Sequence, residues 1–149
     1  MSPHKPLSNA EASPPRRLCV YNSGFFTRAR IKRILALSGW TVAVGTPSSG
    51  DWVGVWGGAP SAKRGTSVAE QNNAPVLRVE DAFLRSLHPG RIEKEPPLGL
   101  LIDKTGLHFD ASKPSDLETL LLQDPLDDTA LLNEARALSA RMMRSRLSK

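Results

Sequence analysis

The sequence predicts an α/β fold, a parallel sheet covered by helices on both faces with an antiparallel hairpin added at the end. Three observations carry this. Four short apolar runs, Leu18-Cys19-Val20-Tyr21, Thr41-Val42-Ala43-Val44, Val53-Gly54-Val55-Trp56 and Val76-Leu77-Arg78-Val79, each read as a buried strand. Helical spacing or turn residues fill the intervals between them, the alternation expected of a Rossmann-like sheet. After residue 97 the pattern changes to two apolar runs around a glycine, which suits antiparallel pairing.

The elements follow in order. Residues 1–16 hold prolines at 3, 6, 14 and 15 among Ser, Asn, Ala and charged residues, too little apolar area to offset ordering entropy, so a flexible leader is expected. The first strand ends at Asn22-Ser23-Gly24. From Thr27 to Leu37, Ala29, Ile31, Ile34, Leu35 and Leu37 keep helical spacing, with Thr27 as cap and Gly39 in the left-handed C-terminal position. Gly45 and Pro47 close the second strand; Gly57-Gly58 and Pro60 close the third. A helix over Lys63–Gln71 and the turn Asn72-Asn73-Ala74-Pro75 lead into the fourth.

Leu98–Ile102 and Leu107–Phe109 then flank Asp103-Lys104-Thr105-Gly106 and are expected to pair with each other. Ser115-Asp116-Leu117-Glu118 has capping-box spacing for a short helix that stops at Asp124-Pro125. From Thr129 to Lys149, Leu131, Leu132, Ala135, Leu138 and Met142 share one helical face. That face has no Trp or Phe, which favours packing against protein over lying on a membrane. The expected organisation is a leader over 1–16, a domain over 17–128 and a linking helix over 129–149.

With 149 residues, 40% hydrophobic and 23% charged, the chain can bury one modest core. No apolar run reaches the ~18–20 residues of a membrane span, and Met1-Ser2-Pro3-His4-Lys5-Pro6 lacks a signal-like stretch, so a cytoplasmic location is expected. Cys19 is the single cysteine, which excludes an internal disulfide. Together with three histidines it offers no zinc-like spacing, and no metal is expected. The net charge of +5 is uneven: +6 over residues 1–33, −5 over 34–128 and +4 over 129–149. Arg16-Arg17 and Arg141, Arg144 and Arg146 are not interleaved with aromatics, so they read as solvated surface rather than a nucleic-acid contact.

Ligands of open α/β sheets bind beyond the carboxyl ends of the strands. Three such places stand out: Asn22-Ser23-Gly24, Trp56-Gly57-Gly58-Ala59-Pro60-Ser61, and Glu80-Asp81 with Phe83 and Arg85-Ser86. Gly57-Gly58 fits either close backbone approach to a sugar or phosphate, or a plain turn. Trp56 fits a stacking platform or a core position. Glu80-Asp81 fits a nucleophile or general base, because an ionised carboxylate can attack an anomeric carbon; it also fits a helix cap at Asp81 with a Glu80–Arg85 ion pair. Arg78, Arg85 and His88 lie close enough in sequence to bind a carboxylate or phosphate.

Four ordered motifs carry a resemblance. Val55-Trp56-Gly57-Gly58-Ala59-Pro60-Ser61-Ala62, Val76 through Leu87, Pro96-Pro97-Leu98-Gly99-Leu100-Leu101-Ile102-Asp103 and Gly106 through Glu118 resemble the capsule polysaccharide biosynthesis and export proteins of KpsC type in order and spacing. The resemblance runs from about Leu18 to the C-terminus. It implies the N-terminal half of a GT-B glycosyltransferase and a retaining β-Kdo transferase module. Such a module moves 3-deoxy-D-manno-octulosonic acid (Kdo) from CMP-Kdo to a Kdo linker on lysophosphatidylglycerol.

By the same resemblance, Asp81 is the first candidate for the nucleophilic carboxylate and Glu80 the second. Arg85 and Ser86 would help bind the acceptor or the Kdo carboxylate, beside the Arg78 already singled out as an anion-binding candidate, and Trp56, Gly57, Pro60 and Ser61 would line the cleft. No cofactor is implied beyond the donor substrate CMP-Kdo. The implied partners are a glycolipid acceptor, capsule assembly proteins and the cytoplasmic face of the inner membrane, touched peripherally. The family usually has Gly where this chain has Ala82, so a positive φ there would strain the loop that presents Asp81. The downstream nucleotide-binding half has no counterpart in these 149 residues. The chain thus reads as an acceptor-side half that needs another piece for the donor, the alternative being a non-catalytic module that binds glycolipid or a partner protein.

Overall fold

The computed structural model describes residues 14–58, 60–84 and 97–145. Most of the expected leader, Arg85, Ser86, His88 and the end of the last helix lie outside the described residues. In chain order the elements are β1 (Arg16–Val20), α1 (Gly24–Thr27), α2 (Ala29–Leu37), β2 (Trp40–Ala43), β3 (Trp52–Trp56), α3 (Ala62–Gln71), β4 (Val76–Asp81), β5 (Leu100–Asp103), α4 (Asp116–Gln123) and α5 (Thr129–Arg144). The sheet runs β2-β1-β3-β4-β5, parallel across its first four strands and antiparallel at β4–β5.

Strand side chains alternate between faces, and each face has its own core. Leu18, Val20, Leu77 and Val79 pack with Phe25, Trp40 and the α2 residues Ile31 and Leu35. Val53 and Val55 point the other way, onto Ala62 and Ala69 of α3. Helices therefore cover both faces, as expected. Close approach at β3 depends on two missing side chains. A Cβ on Gly54 would lie 2.9 Å from Val20 Cγ1, and one on Gly65 of α3 would lie 2.7 Å from Val55 Cγ1.

Arg17 and Asp51 form an ion pair at 2.6 Å, and Asp51 Oδ2 also accepts the Ser48 N–H at 2.7 Å. This folds the β2–β3 loop beside β1, where the Tyr21 hydroxyl donates to Gly45 O at 2.8 Å. Cys19 is wholly buried between them. Burial raises its thiol pKa; the Arg17 charge opposes the rise and the Asp51 charge adds to it.

Two local expectations are corrected. The helix predicted from Thr27 is broken: Arg28 adopts extended angles (φ −100°, ψ 99°) between α1 and α2, and the Thr27 hydroxyl donates back to Ser23 O instead of capping. The antiparallel pairing exists, but β5 makes it with β4, matching Arg78 to Asp103 and Asp81 to Leu100; Leu107–Phe109 forms no strand.

Asp103 is the physical reason for that second change. It is 3% exposed, and its carboxylate accepts the N–H groups of Thr105 (2.8 Å), Gly106 (2.7 Å) and Asp116 (2.8 Å). Asp116 returns the contact by accepting the Lys104 N–H at 2.8 Å. These bonds curl residues 104–116 into a closed loop. Gly106 is held against Pro114, whose carbonyl oxygen lies 2.6 Å from where a Cβ would be.

The described chain falls into two compact units, divided between Leu117 and Glu118. In the second, the Asp128 carboxylate caps α5 by accepting the Ala130 and Leu131 N–H groups, while Arg141 and Arg144 in the last turn suit the helix dipole. Among the described residues, no helix is long and apolar enough to cross a membrane.

Burial alone would raise the Asp103 pKa, but the backbone bonds from Gly106, Thr105 and Asp116 and the Thr105 hydroxyl outweigh it and bring it below 3.8. Asp103→Asn is expected to cost roughly 2–3 kcal/mol in urea unfolding at pH 7. The native advantage is complete above the ordinary carboxylate range near 3.8 and falls away as pH drops through the lower folded value, because the unfolded chain takes up the proton first. Equal stability of the two proteins at neutral pH would contradict this account.

Candidate functional site

The parallel strands end along one edge of the sheet, and β1 sits where the order reverses: β2 lies on one side of it and β3 on the other. Such a switch point opens a crevice between the two outgoing loops. Here the loops are tied together. Asn22 accepts the Gly24 N–H at 2.9 Å and donates to the Ser61 hydroxyl at 3.1 Å. Ser61 precedes α3 yet makes no side-chain cap bond to it. Its hydroxyl instead joins the ends of β1 and β3.

Beside this tie, Asn22, Gly24, Arg28, Ile31 and Trp56 line a crevice of about 210 Å³. Trp56 is half-buried, with its ring edge-on to Phe25 at 5.8 Å between centroids. Trp56 thus packs against the core and also forms a wall of the crevice. A second cleft, of about 330 Å³, lies between α3 and β4 and is lined by Gly58, Ala62, Lys63, Thr66, Ser67, Glu70 and Arg78.

The two carboxylates at the end of β4 have different surroundings. Alternation puts Glu80 on the face of Arg78, and Asp81 on the opposite face, shared with Val79 and with Trp56, which is in register with Val79. Glu80 covers Gly57: with φ +46°, Gly57 has no room for a side chain, since a Cβ would lie 1.5 Å from Glu80 Oε1. Arg78 donates to the Gly57 carbonyl at 3.2 Å, and Glu80 Oε2 accepts the Asp81 N–H at 3.3 Å. Gly57 is thus a position that requires glycine. Arg78 and Glu80 shape the loop carrying Pro60 and Ser61, while Asp81 stands at the carboxyl edge on the Trp56 side.

Ala82 does not carry the strain its methyl group would cause at positive φ. Among the described non-glycine residues only Asn73 and Leu126 have positive φ. The Ala82 N–H donates to Gly99 O at 3.3 Å, extending the β4–β5 ladder past Asp81. Beyond it, Phe83 is exposed, and its ring meets His108 edge-on at 5.2 Å. Among the described residues, no group of three or more His, Cys, Asp or Glu gathers as a metal site would require.

The structure places Trp56 at the end of β3 and Gly57, Pro60 and Ser61 in the segment that follows it, supported by Arg78 and Glu80, with Asp81 at the end of the neighbouring strand β4. Arg85 and Ser86 lie outside the described residues. Sequence reasoning placed Asn22 at the edge without a role and missed Arg28 altogether. A usable signal for Arg28 was the run of bases at 28, 30, 32 and 33, which spreads charge around a helix instead of confining it to an outer face.

Comparison with known proteins adds the following. The model of a family described as capsule polysaccharide biosynthesis protein matches residues 51–148. Capsule polysaccharide modification protein LipA of Neisseria meningitidis serogroup A is 32% identical over 94 residues, 63% of this chain and 13% of LipA. Lipopolysaccharide-processing protein LpsZ of Rhizobium meliloti is 39% identical over 80 residues, 54% of this chain and 18% of LpsZ. The chain thus spans a small part of these relatives. Among solved structures, Thermosulfurimonas dismutans KpsC, a β-Kdo 2,4 transferase, matches with a TM-score of 0.77 and 25% identity, covering 92% of this chain and 42% of that one.

The Gly57 geometry is testable by stability measurements. Gly57→Ala is expected to cost about 1–3 kcal/mol in chemical denaturation, from strained φ and displacement of Glu80. In a Glu80→Ala background the same change should cost less, because the steric share disappears. Equal costs in both backgrounds would show that Glu80 does not crowd this position.

Proposed function

Because this chain belongs to the capsule polysaccharide biosynthesis protein family, we propose that it is the acceptor-side half of a retaining β-Kdo transferase that uses CMP-Kdo as donor and a lysophosphatidylglycerol-linked Kdo chain as acceptor. The observation that carries this reading is the fold match to KpsC across 92% of the chain. The match covers 42% of that structure, and in this reading the nucleotide is held by the part of a KpsC-type module outside the matched region.

In this mechanism Asp81 is the nucleophile. Its ionised carboxylate attacks the anomeric carbon of Kdo, the bond from that carbon to the phosphate oxygen breaks, and CMP leaves with the electron pair. An acceptor hydroxyl then attacks the same carbon from the vacated side. It forms the new glycosidic bond, frees the Asp81 carboxylate and gives up its proton to a base or to water. Two inversions give net retention. Glu80 is a positioning residue, since its carboxylate covers Gly57 and accepts the Asp81 N–H. Trp56, Pro60 and Ser61 form the acceptor side of the cleft, and Arg85 and Ser86 are carried over as contacts to acidic sugar.

The chain is to be incubated with CMP-Kdo and a lipid-linked Kdo acceptor, with and without a separately produced downstream half of a KpsC-type module, and the products read by mass spectrometry. Product is expected with the downstream half. Its absence from both mixtures would overturn the enzyme reading, and glycolipid binding without transfer would favour a non-catalytic module. Asp81→Ala should lower transfer by at least about a thousandfold, whereas Glu80→Gln should retain it; retained transfer in the Asp81 variant would refute the nucleophile assignment.

A further inference from the structure

We propose that Arg28 binds the carboxylate of the acceptor's acidic sugar in the switch-point crevice, an assignment that rests on the transferase reading above. The first observation is the break between α1 and α2. Arg28 leaves the helical path there and lines the same crevice as Asn22, Gly24, Ile31 and Trp56. The second is its availability. Arg28 makes no ion pair or side-chain hydrogen bond with any described residue, whereas Arg17 is committed to Asp51 and Val44 O. Its five N–H donors form a planar fork that fits a carboxylate with two parallel bonds.

The third observation is the local field. Residues 24–37 hold Arg28, Arg30, Lys32 and Arg33 and no acidic side chain, so the approach to the crevice attracts anions. The remaining walls suit the rest of a sugar acid. Trp56 offers an aromatic surface for the apolar face of a pyranose. Asn22 is held by Gly24 and Ser61, and its amide keeps unused hydrogen-bonding capacity for sugar hydroxyls. Asp81 ends its strand on the Trp56 face, so a sugar anchored at Arg28 lies on the side of the sheet from which the candidate nucleophile is presented.

Two probes test this: the methyl β-glycoside of Kdo and its carboxyl-reduced analogue, in which a primary alcohol replaces the acid. Binding to the full chain is measured by NMR titration, with thermal melts confirming that each variant is folded. The wild-type chain is expected to prefer the acid by about tenfold to a hundredfold. Arg28→Ala should keep weak binding of both probes and lose most of the preference, and Arg28→Lys should recover only part of it. Arg30→Ala, a control on the adjoining helix α2 and outside the crevice lining, should keep the preference. An unchanged preference in Arg28→Ala, or an equal loss in Arg30→Ala, overturns the Arg28 assignment and leaves the glycan-binding reading standing. Failure of the wild-type chain to bind either probe overturns both.

Discussion

The fold depends on β3 being buried from both sides at once. A strand in that position needs a neighbour on each edge and apolar cover above and below, and Trp52–Trp56 meets these demands with an uneven set of side chains. Val53 and Val55 fill the α3 side. On the α2 side Gly54 contributes no volume, which lets Leu18 and Val20 of β1 reach across it. Gly65 repeats the device from the helix, giving Val55 room. Close packing makes such spaces discriminating: one added methyl group within 3 Å of a neighbour must move a strand or a helix. The outgoing loops of β1 and β3 inherit this precision, because the Asn22–Ser61 bond spans two strands whose separation is already fixed.

Much of this was legible in the sequence. Short apolar runs stopped by Asn-Ser-Gly, Gly-Gly-Ala-Pro and Glu-Asp mark buried parallel strands and the edge where their loops emerge, and the strands fall where those runs are. Gly39 carries φ +80° in the left-handed position its place after a helix calls for. The break at Arg28 was hidden because apolar spacing continues through it from Phe25 to Leu35, and periodicity reports which face is buried without reporting whether the backbone is continuous. The partner of β5 was hidden for a different reason. Residues 100–109 look locally like a hairpin, but Asp103 bonds to the backbone of Asp116, thirteen positions away, and no local rule weighs that contact.

The candidate site was partly legible. Period-two alternation was available from the start and separates Glu80 from Asp81, so the pair was never one site on a strand. The structure gives the separation physical content by committing Glu80 to the Gly57 loop on the Arg78 face. What sequence could not supply was the company of Asp81: Trp56 becomes its same-face neighbour through the β3–β4 register, and Arg28 joins that side only through a kink between two helices.

The sealed position of Cys19 has a practical corollary. A thiol with no exposed surface and a raised pKa stays silent toward alkylating reagents while the sheet is intact, so a cysteine introduced at the rim of the crevice would be the sole attachment point for a spin label or fluorophore. The native chain thus brings its own dark background to spectroscopy of the crevice, without first having to remove a residue from its core.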